Sequence, residues 1–158
     1  MNYRHAYHAG NPADVIKHAV LAFILAHMTQ KETPLRVVDT HAGIGVYDLT
    51  SDAAERTGEW VEGIGRLWAK DMPEPLAAFL DPYLDAVARL NPDGRLLRYP
   101  GSPEIARLTT RPMDGLTFCE LHPEDSRTLA ALYVREKRAK VIEIDGWLAP
   151  KAFLPPKE

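Results

Sequence analysis

Apolar positions along the chain recur first at helical and later at extended spacing. Val15, Ile16, Ala19, Val20, Phe23 and Ile24 follow a three-to-four residue period, which predicts a helix with one apolar stripe. Its start is punctuated by Asn11 as cap, Pro12 in the first helical position and Asp14 where the helix dipole favours an acid. This helix is expected to run to about Gln30. Leu35 to Asp39 predicts a first strand, and the pair Val37-Val38 suits burial on both faces. From Ser51 to about Asn91 the pattern is helical again. Trp60, Ile64, Leu67 and Trp68 make one stripe, and Leu76, Phe79, Leu80, Leu84, Val87 and Leu90 another. The turn signal Asn91-Pro92-Asp93-Gly94 closes the segment.

Tyr99-Pro100-Gly101-Ser102-Pro103 then resets the chain, with Ser102 as expected N-cap of a short helix over about Pro103 to Arg111. A second strand follows at Leu116 to Glu120, a helix at Pro123 to Arg138 and a third strand at Lys140 to Asp145. The tail from Pro150 reads as loop. Strand, helix, strand, helix, strand is the alternation of an α/β fold with a parallel sheet. Residues 51–95 interrupt it as a helical insertion. The expected division is therefore 1–50 with 96–158 as one α/β unit and 51–95 as a smaller helical one.

The chemistry lies where the predicted strands end. Val37-Val38-Asp39-Thr40-His41-Ala42-Gly43-Ile44-Gly45 is a strand entering a glycine turn, the sequence form of a nucleotide cradle at the carboxyl end of a parallel strand. Asp39, Glu120 and Asp145 each close a predicted strand and converge on one crevice. Gly43 and Gly45 allow the main chain to approach a ligand closely. Glu120 suits ribose hydroxyls, Asp145 the exocyclic amine of an adenine, and Ser102 at a helix start the carboxylate of an amino acid. A nicotinamide-dependent oxidoreductase is the competing enzyme reading, but Asp48 stands where its third glycine is required.

Composition narrows the picture. At 158 residues, 46% hydrophobic and 26% charged, with net charge -3, the chain has the make-up of one globular domain and carries no general basic signal for nucleic acid. The single cysteine, Cys119, rules out an internal disulfide and points to a reducing cytoplasm. No histidine pair has metal-ligand spacing, and no apolar run is long enough to span a bilayer. Arg135, Lys137, Arg138 and Lys140 read as a solvated helix end favoured by the dipole. Tyr3, Arg4, His5, Tyr7 and His8 combine rings and cations that can stack on bases and meet phosphates. A nucleic-acid-binding module without catalysis is thus a further reading, although composition alone favours a solvated terminus.

Several stretches together go beyond generic patterning. They are Tyr3-Arg4-His5-Ala6-Tyr7-His8-Ala9-Gly10-Asn11 with Asp14, Lys17 and His18; Asp39 to Gly45; Glu55-Arg56-Thr57-Gly58-Glu59; Tyr99 to Pro103; and Glu120-Leu121-His122-Pro123. In this order they resemble the bacterial 23S ribosomal RNA adenine-N6 methyltransferase J family over nearly the whole chain. The resemblance implies a class I, Rossmann-like fold using S-adenosylmethionine, with a small helical insertion. It implies donor contacts at His18, His41, Ser102, Glu120, Asp145 and Gly146, with Lys17 beside them, and ribosomal RNA against Tyr3, Arg4 and His5. The full-length enzyme is expected to be a cytoplasmic monomer without a metal. The family continues into a fourth strand carrying Asp-Pro-Pro-Tyr, which holds the extruded adenine. Here Pro155-Pro156 is flanked by Leu154 and Lys157. The expectation is therefore an N-terminal part of a longer enzyme, incomplete at the C-terminus and without turnover. No catalytic residue is expected within these residues, because the resemblance puts the catalytic acid beyond Glu158.

Overall fold

A computed structural model of the chain describes residues 5–154. A short 3-10 turn, His5–Tyr7, leads into α1, Pro12–Met28. Asn11 caps α1 as expected, its side chain accepting from the Asp14 backbone N–H at 2.9 Å. The strands β1 (Arg36–Asp39), β4 (Gly115–Glu120) and β5 (Ala139–Glu143) form one parallel sheet in the order β1-β4-β5. The helices α6 (Ser102–Thr109) and α7 (Pro123–Leu132) are its crossovers. Leu116 and Phe118 of β4 pack with Ala106, Leu129 and Tyr133 into a core that includes Leu25 of α1.

The segment after β1 holds α2 (Asp52–Thr57), α3 (Glu59–Glu62), α4 (Ile64–Leu67) and α5 (Glu74–Leu90). The α5 stripe is buried at Leu80 and Val87, while Leu76 is exposed. A second core joins Leu80, Tyr83 and Val87 of α5 to Ala19 and Ala22 of α1, with Tyr99 and Ile105.

Several expectations are corrected. The inward face of α1 is Asp14, His18, Ala19, Ala22 and Leu25, whereas Ile16, Val20, Phe23 and Ile24 are exposed. The small residues Ala19 and Ala22 let α1 lie close against α5 and α6, and that contact decides the rotation of the helix. An antiparallel ribbon of β2 (Val46–Asp48) and β3 (Arg98–Pro100) spans the ends of the helical segment, its strands too short to show a period. Gly101 rather than Ser102 is the N-cap of α6. The third strand stops at Glu143, so Asp145 lies in the following turn. The tail forms a helix, α8, Ala149–Phe153. Val37 and Val38 are only half-buried, because β1 lies at the edge of the described sheet.

Arg138 is not a solvated helix end. Its guanidinium donates to Thr110 Oγ1 at 2.7 Å, to the Arg111 carbonyl at 2.7 Å and to the Arg107 carbonyl at 2.6 Å. It thereby closes the C-terminus of α6, whose last carbonyls have no partner inside the helix.

Candidate functional site

The carboxyl ends of β1 and β4 open into a cleft of about 300 Å³ lined by Lys17, His18, His41, Ala42, Gly43, Tyr47, Gly101, Ser102, Glu120, His122 and Asp125. Two local devices shape it. The turn after β1 continues along β4, the Ala42 N–H donating to the Cys119 carbonyl at 2.9 Å. The ribbon returns the chain to the same place, the Gly101 N–H donating to the Gly45 carbonyl at 2.8 Å. The glycine turn, the start of α6 and the end of β4 therefore meet, as expected of an open parallel sheet.

Glu120 fixes this meeting point. Its Oε2 accepts from the Gly43 N–H and its Oε1 from the His122 N–H, each at 2.8 Å. A carboxylate oxygen can accept more than one bond, so Glu120 can hold the turn and still receive a ligand hydroxyl. Gly43 has φ +64°, and a Cβ there would lie 2.3 Å from Tyr47 Oη. Only glycine leaves this wall of the cleft open.

On the opposite side, α1 supplies Lys17 and His18. Asp14 is buried, and its Oδ2 accepts from the Gly10 N–H at 2.9 Å while Oδ1 meets Lys17 Nζ at 2.6 Å. The sequence suggested a dipole partner for Asp14. Its burial and ion pair show a brace that aims Lys17 and closes the turn before α1. His18 is buried and bonded through Nδ1 to Tyr99 Oη at 2.9 Å.

Among the described residues, two buried polar atoms have no hydrogen-bond partner: Asp39 Oδ2, and His122 Nδ1, which lies 3.9 Å from Asp125 Oδ1. Buried polar atoms are almost always bonded, so such exceptions call for a reason. Burial raises the Asp39 carboxyl above its usual value; the Ser102 hydroxyl, the His41 backbone and the His41 and Lys17 charges work against it. Asp39 does not line this cleft; with Ser102 it borders a second hollow of about 210 Å³ beside Leu21, Val38 and Ala106.

Of the residues expected from the sequence, His18, His41, Ser102 and Glu120 share the cleft. Asp145 and Gly146 do not line it. Asp145 Oδ1 accepts from the Trp147 N–H at 2.9 Å, and Gly146 lies against the Thr40–His41 turn, where a Cβ would fall 2.0 Å from the Thr40 carbonyl oxygen. They stand beside His41, whose ring packs edge-on to Trp147 at 5.8 Å. Tyr3 and Arg4 lie outside the described residues, and of His5 only the backbone is described. Glu158, beyond which the catalytic acid is expected, also lies outside the described residues. The sequence reading missed Tyr47, His122 and Asp125. Tyr47 lies in a ribbon without a period, and the other two flank the start of α7, where only spatial proximity to Glu120 marks them.

Among the described residues no group of histidine, cysteine or acidic side chains is placed to hold a metal ion. No described helix is long and apolar enough to cross a membrane. Cys119 is buried, and burial pushes its thiol up, which makes it a poor nucleophile.

The family model for Ribosomal RNA large subunit methyltransferase D, RlmJ, matches residues 32–158. A curated relative from Escherichia coli, "Ribosomal RNA large subunit methyltransferase J", is 47% identical over 99% of this chain and 55% of its own length. A Haemophilus influenzae protein of the same name is 44% identical over 100% of this chain and 56% of its own length. A crystal structure of a Legionella pneumophila protein superposes with a TM-score of 0.83 at 37% identity, covering 94% of this chain and 53% of that one. The chain thus spans about half the length of the curated relatives it matches.

Proposed function

From the premise that the chain belongs to the large-subunit ribosomal RNA methyltransferase J family, we propose that it forms the donor-binding half of an S-adenosylmethionine-dependent enzyme that methylates an adenine N6 of 23S ribosomal RNA. The fold is then of the class I, Rossmann-like kind, with 51–95 as its helical insertion. The carrying observation is the cleft itself, with its glycine wall and a fixed acid around one space.

The residues fit such a donor. Glu120 is held with accepting capacity for ribose hydroxyls. In the hollow beside the cleft, Asp39 Oδ2 is a buried acceptor with no hydrogen-bond partner among the described residues, which suits an ammonium group. Ser102 at the start of α6, His18 and Lys17 suit a carboxylate. His41, Asp145 and Gly146 form the neighbouring turn, which we assign to the adenine. When bound, the donor supplies an electrophilic methyl group on a sulfonium. This chain's share of catalysis is to orient it and exclude water, which can lower a barrier substantially by alignment alone. Tyr3, Arg4 and His5 are assigned to the RNA. The Asp-Pro-Pro-Tyr run that the resemblance assigns to the acceptor adenine does not occur between Met1 and Glu158, so donor binding is the activity to test.

Titration calorimetry with S-adenosylhomocysteine provides the test. The chain is expected to bind with one site, and Glu120→Gln and Ser102→Ala are each expected to weaken binding about tenfold, the cost of one lost charged hydrogen bond. A folded chain, by circular dichroism and thermal melting, that takes up no heat of binding would overturn the assignment.

A further inference from the structure

The amino ends of the parallel strands, at the far end of the sheet from the cleft, carry a surplus of positive charge. Three acids pack there, and the fold pairs each with its own arginine: Glu104 with Arg107 at 2.7 Å, Asp114 with Arg111 at 2.9 Å and Glu136 with Arg138 at 3.3 Å. Lys31 and Glu32, exposed neighbours after α1, offset each other. Arg36, Arg135, Lys137 and Lys140 are also exposed, and among the described residues none of them has an acidic partner. This surplus belongs to a chain whose net charge is -3.

These cations are held on rigid backbone. Lys140 stands opposite Thr117 in the β4–β5 register, and the Arg36 guanidinium donates to Thr117 Oγ1 at 3.5 Å. Arg36 and Lys140 thus flank one residue across the sheet. Arg135 and Lys137 lie in the turn between α7 and β5. That turn is closed by bonds from the Glu136 N–H to the Tyr133 carbonyl at 2.9 Å and from the Ala139 N–H to the Glu136 carbonyl at 3.0 Å. Arg138 ties the same turn to the end of α6. Arg135, Lys137 and Arg138 border an open hollow of about 600 Å³ beside Pro112. The dipole of α7 favours a cation such as Arg135, and a lysine on an edge strand such as β5 discourages stray pairing. Neither accounts for four cations crowded together without an acid, which repel one another in the free chain.

We propose that this end of the sheet is a docking surface for the phosphate backbone of RNA, separate from the cleft. Such contacts hold a nucleic acid in place without reading its sequence. β4 runs from this surface to the cleft over Gly115–Glu120, roughly 17 Å at the rise of a strand. The RNA segment gripped here is therefore a different one from the segment whose base meets the cleft. The proposal rests on the reading of the chain as part of an RNA-modifying enzyme. RNA is favoured over an anionic membrane because the cations sit on strands and a tight turn rather than on an amphipathic helix.

Fluorescence anisotropy of a labelled RNA hairpin of mixed sequence, titrated with the full chain between about 50 and 200 mM salt, tests this. The combined variant Arg135→Gln, Lys137→Gln, Lys140→Gln leaves the paired arginines intact. It is expected to weaken hairpin binding at least about tenfold at low salt and to flatten the plot of log affinity against log salt by about one unit per cation removed. Lys70→Gln with Arg95→Gln, exposed cations of the helical segment, is expected to change neither. Thermal melting confirms that both variants fold. No hairpin binding by the wild-type chain, unchanged binding by the folded triple variant, or equal losses in both variants overturns the proposal. So does binding to phosphatidylserine vesicles, and not to the hairpin, that the triple variant loses. S-adenosylhomocysteine titration of the same samples separates the two readings. A wild-type chain that binds the hairpin as expected but no S-adenosylhomocysteine keeps the RNA surface and loses the donor site. One that binds S-adenosylhomocysteine while the triple variant keeps full hairpin affinity does the reverse.

Discussion

Asp39 shows how burial of a single residue can work against the fold. Its carboxyl is raised by burial, so the folded state binds a proton more readily than the unfolded chain. The linkage has a definite sign. Stability falls as pH rises through the ordinary carboxylate range into the raised one, because folding must then bury a charge. Asp39→Asn is therefore expected to raise the thermal midpoint of the ligand-free chain near neutral pH and to lose that advantage in acid. The same substitution is expected to weaken S-adenosylhomocysteine about tenfold. Melting curves across pH, paired with calorimetry, check both halves, and a lower midpoint at neutral pH would refute the first. Asp114 behaves in the opposite sense. Arg111 beside it and two backbone N–H groups hold its carboxyl far below the usual range, so its contribution is present above the unfolded value and lost only in strong acid. At Gly43, alanine would need a left-handed backbone and a shift of buried Tyr47. Gly43→Ala is expected to cost about 2 kcal/mol in urea unfolding and to narrow the cleft.

Elements were legible where their ends carry distinctive chemistry. Asn11-Pro12 marked α1, Asn91 to Gly94 marked the end of α5, and the apolar strands marked β1 and β4 within a residue. The ribbon was not legible, because three-residue strands have no period and Pro100 argues against one. The inward face of α1 was misread because the helix is apolar nearly all round, and the contact selects its small residues. For the candidate site, Glu120 and the glycine turn could be read from strand ends and Ser102 from a helix start. The brace at Asp14 and the cap at Arg138 could not, since both depend on partners that only the fold supplies. Arg138→Ala removes three bonds to the end of α6 and is expected to cost on the order of 2 kcal/mol, read as a lower urea midpoint at unchanged slope.

For the whole molecule, the described sheet ends at β1, and α1 turns Ile16, Val20, Phe23 and Ile24 outward. An unpaired strand edge and an apolar helix face are both surfaces that chains tend to cover. The isolated chain is expected to self-associate with rising concentration, which sedimentation velocity would detect, and Val20→Lys with Ile24→Lys should reduce it. A concentration-independent sedimentation coefficient would count against this.

The pairing of Arg36 with Gly115 also has a kinetic meaning. The strands it joins are separated by the whole ribbon and helical segment, and a bond such as that from the Leu35 N–H to Asp114 Oδ1 closes a separation of 79 positions. Closing so long a loop in an unfolded chain costs entropy before any contact rewards it. If α1, α5 and the ribbon collapse first, they draw the two strands together and shorten the effective loop. Refolding rates should then respond to destabilising substitutions at Tyr83 or Ile64, whereas substitutions in β5 should act mainly on the unfolding rate. The helical segment that separates the strands in sequence would be what brings them together in time.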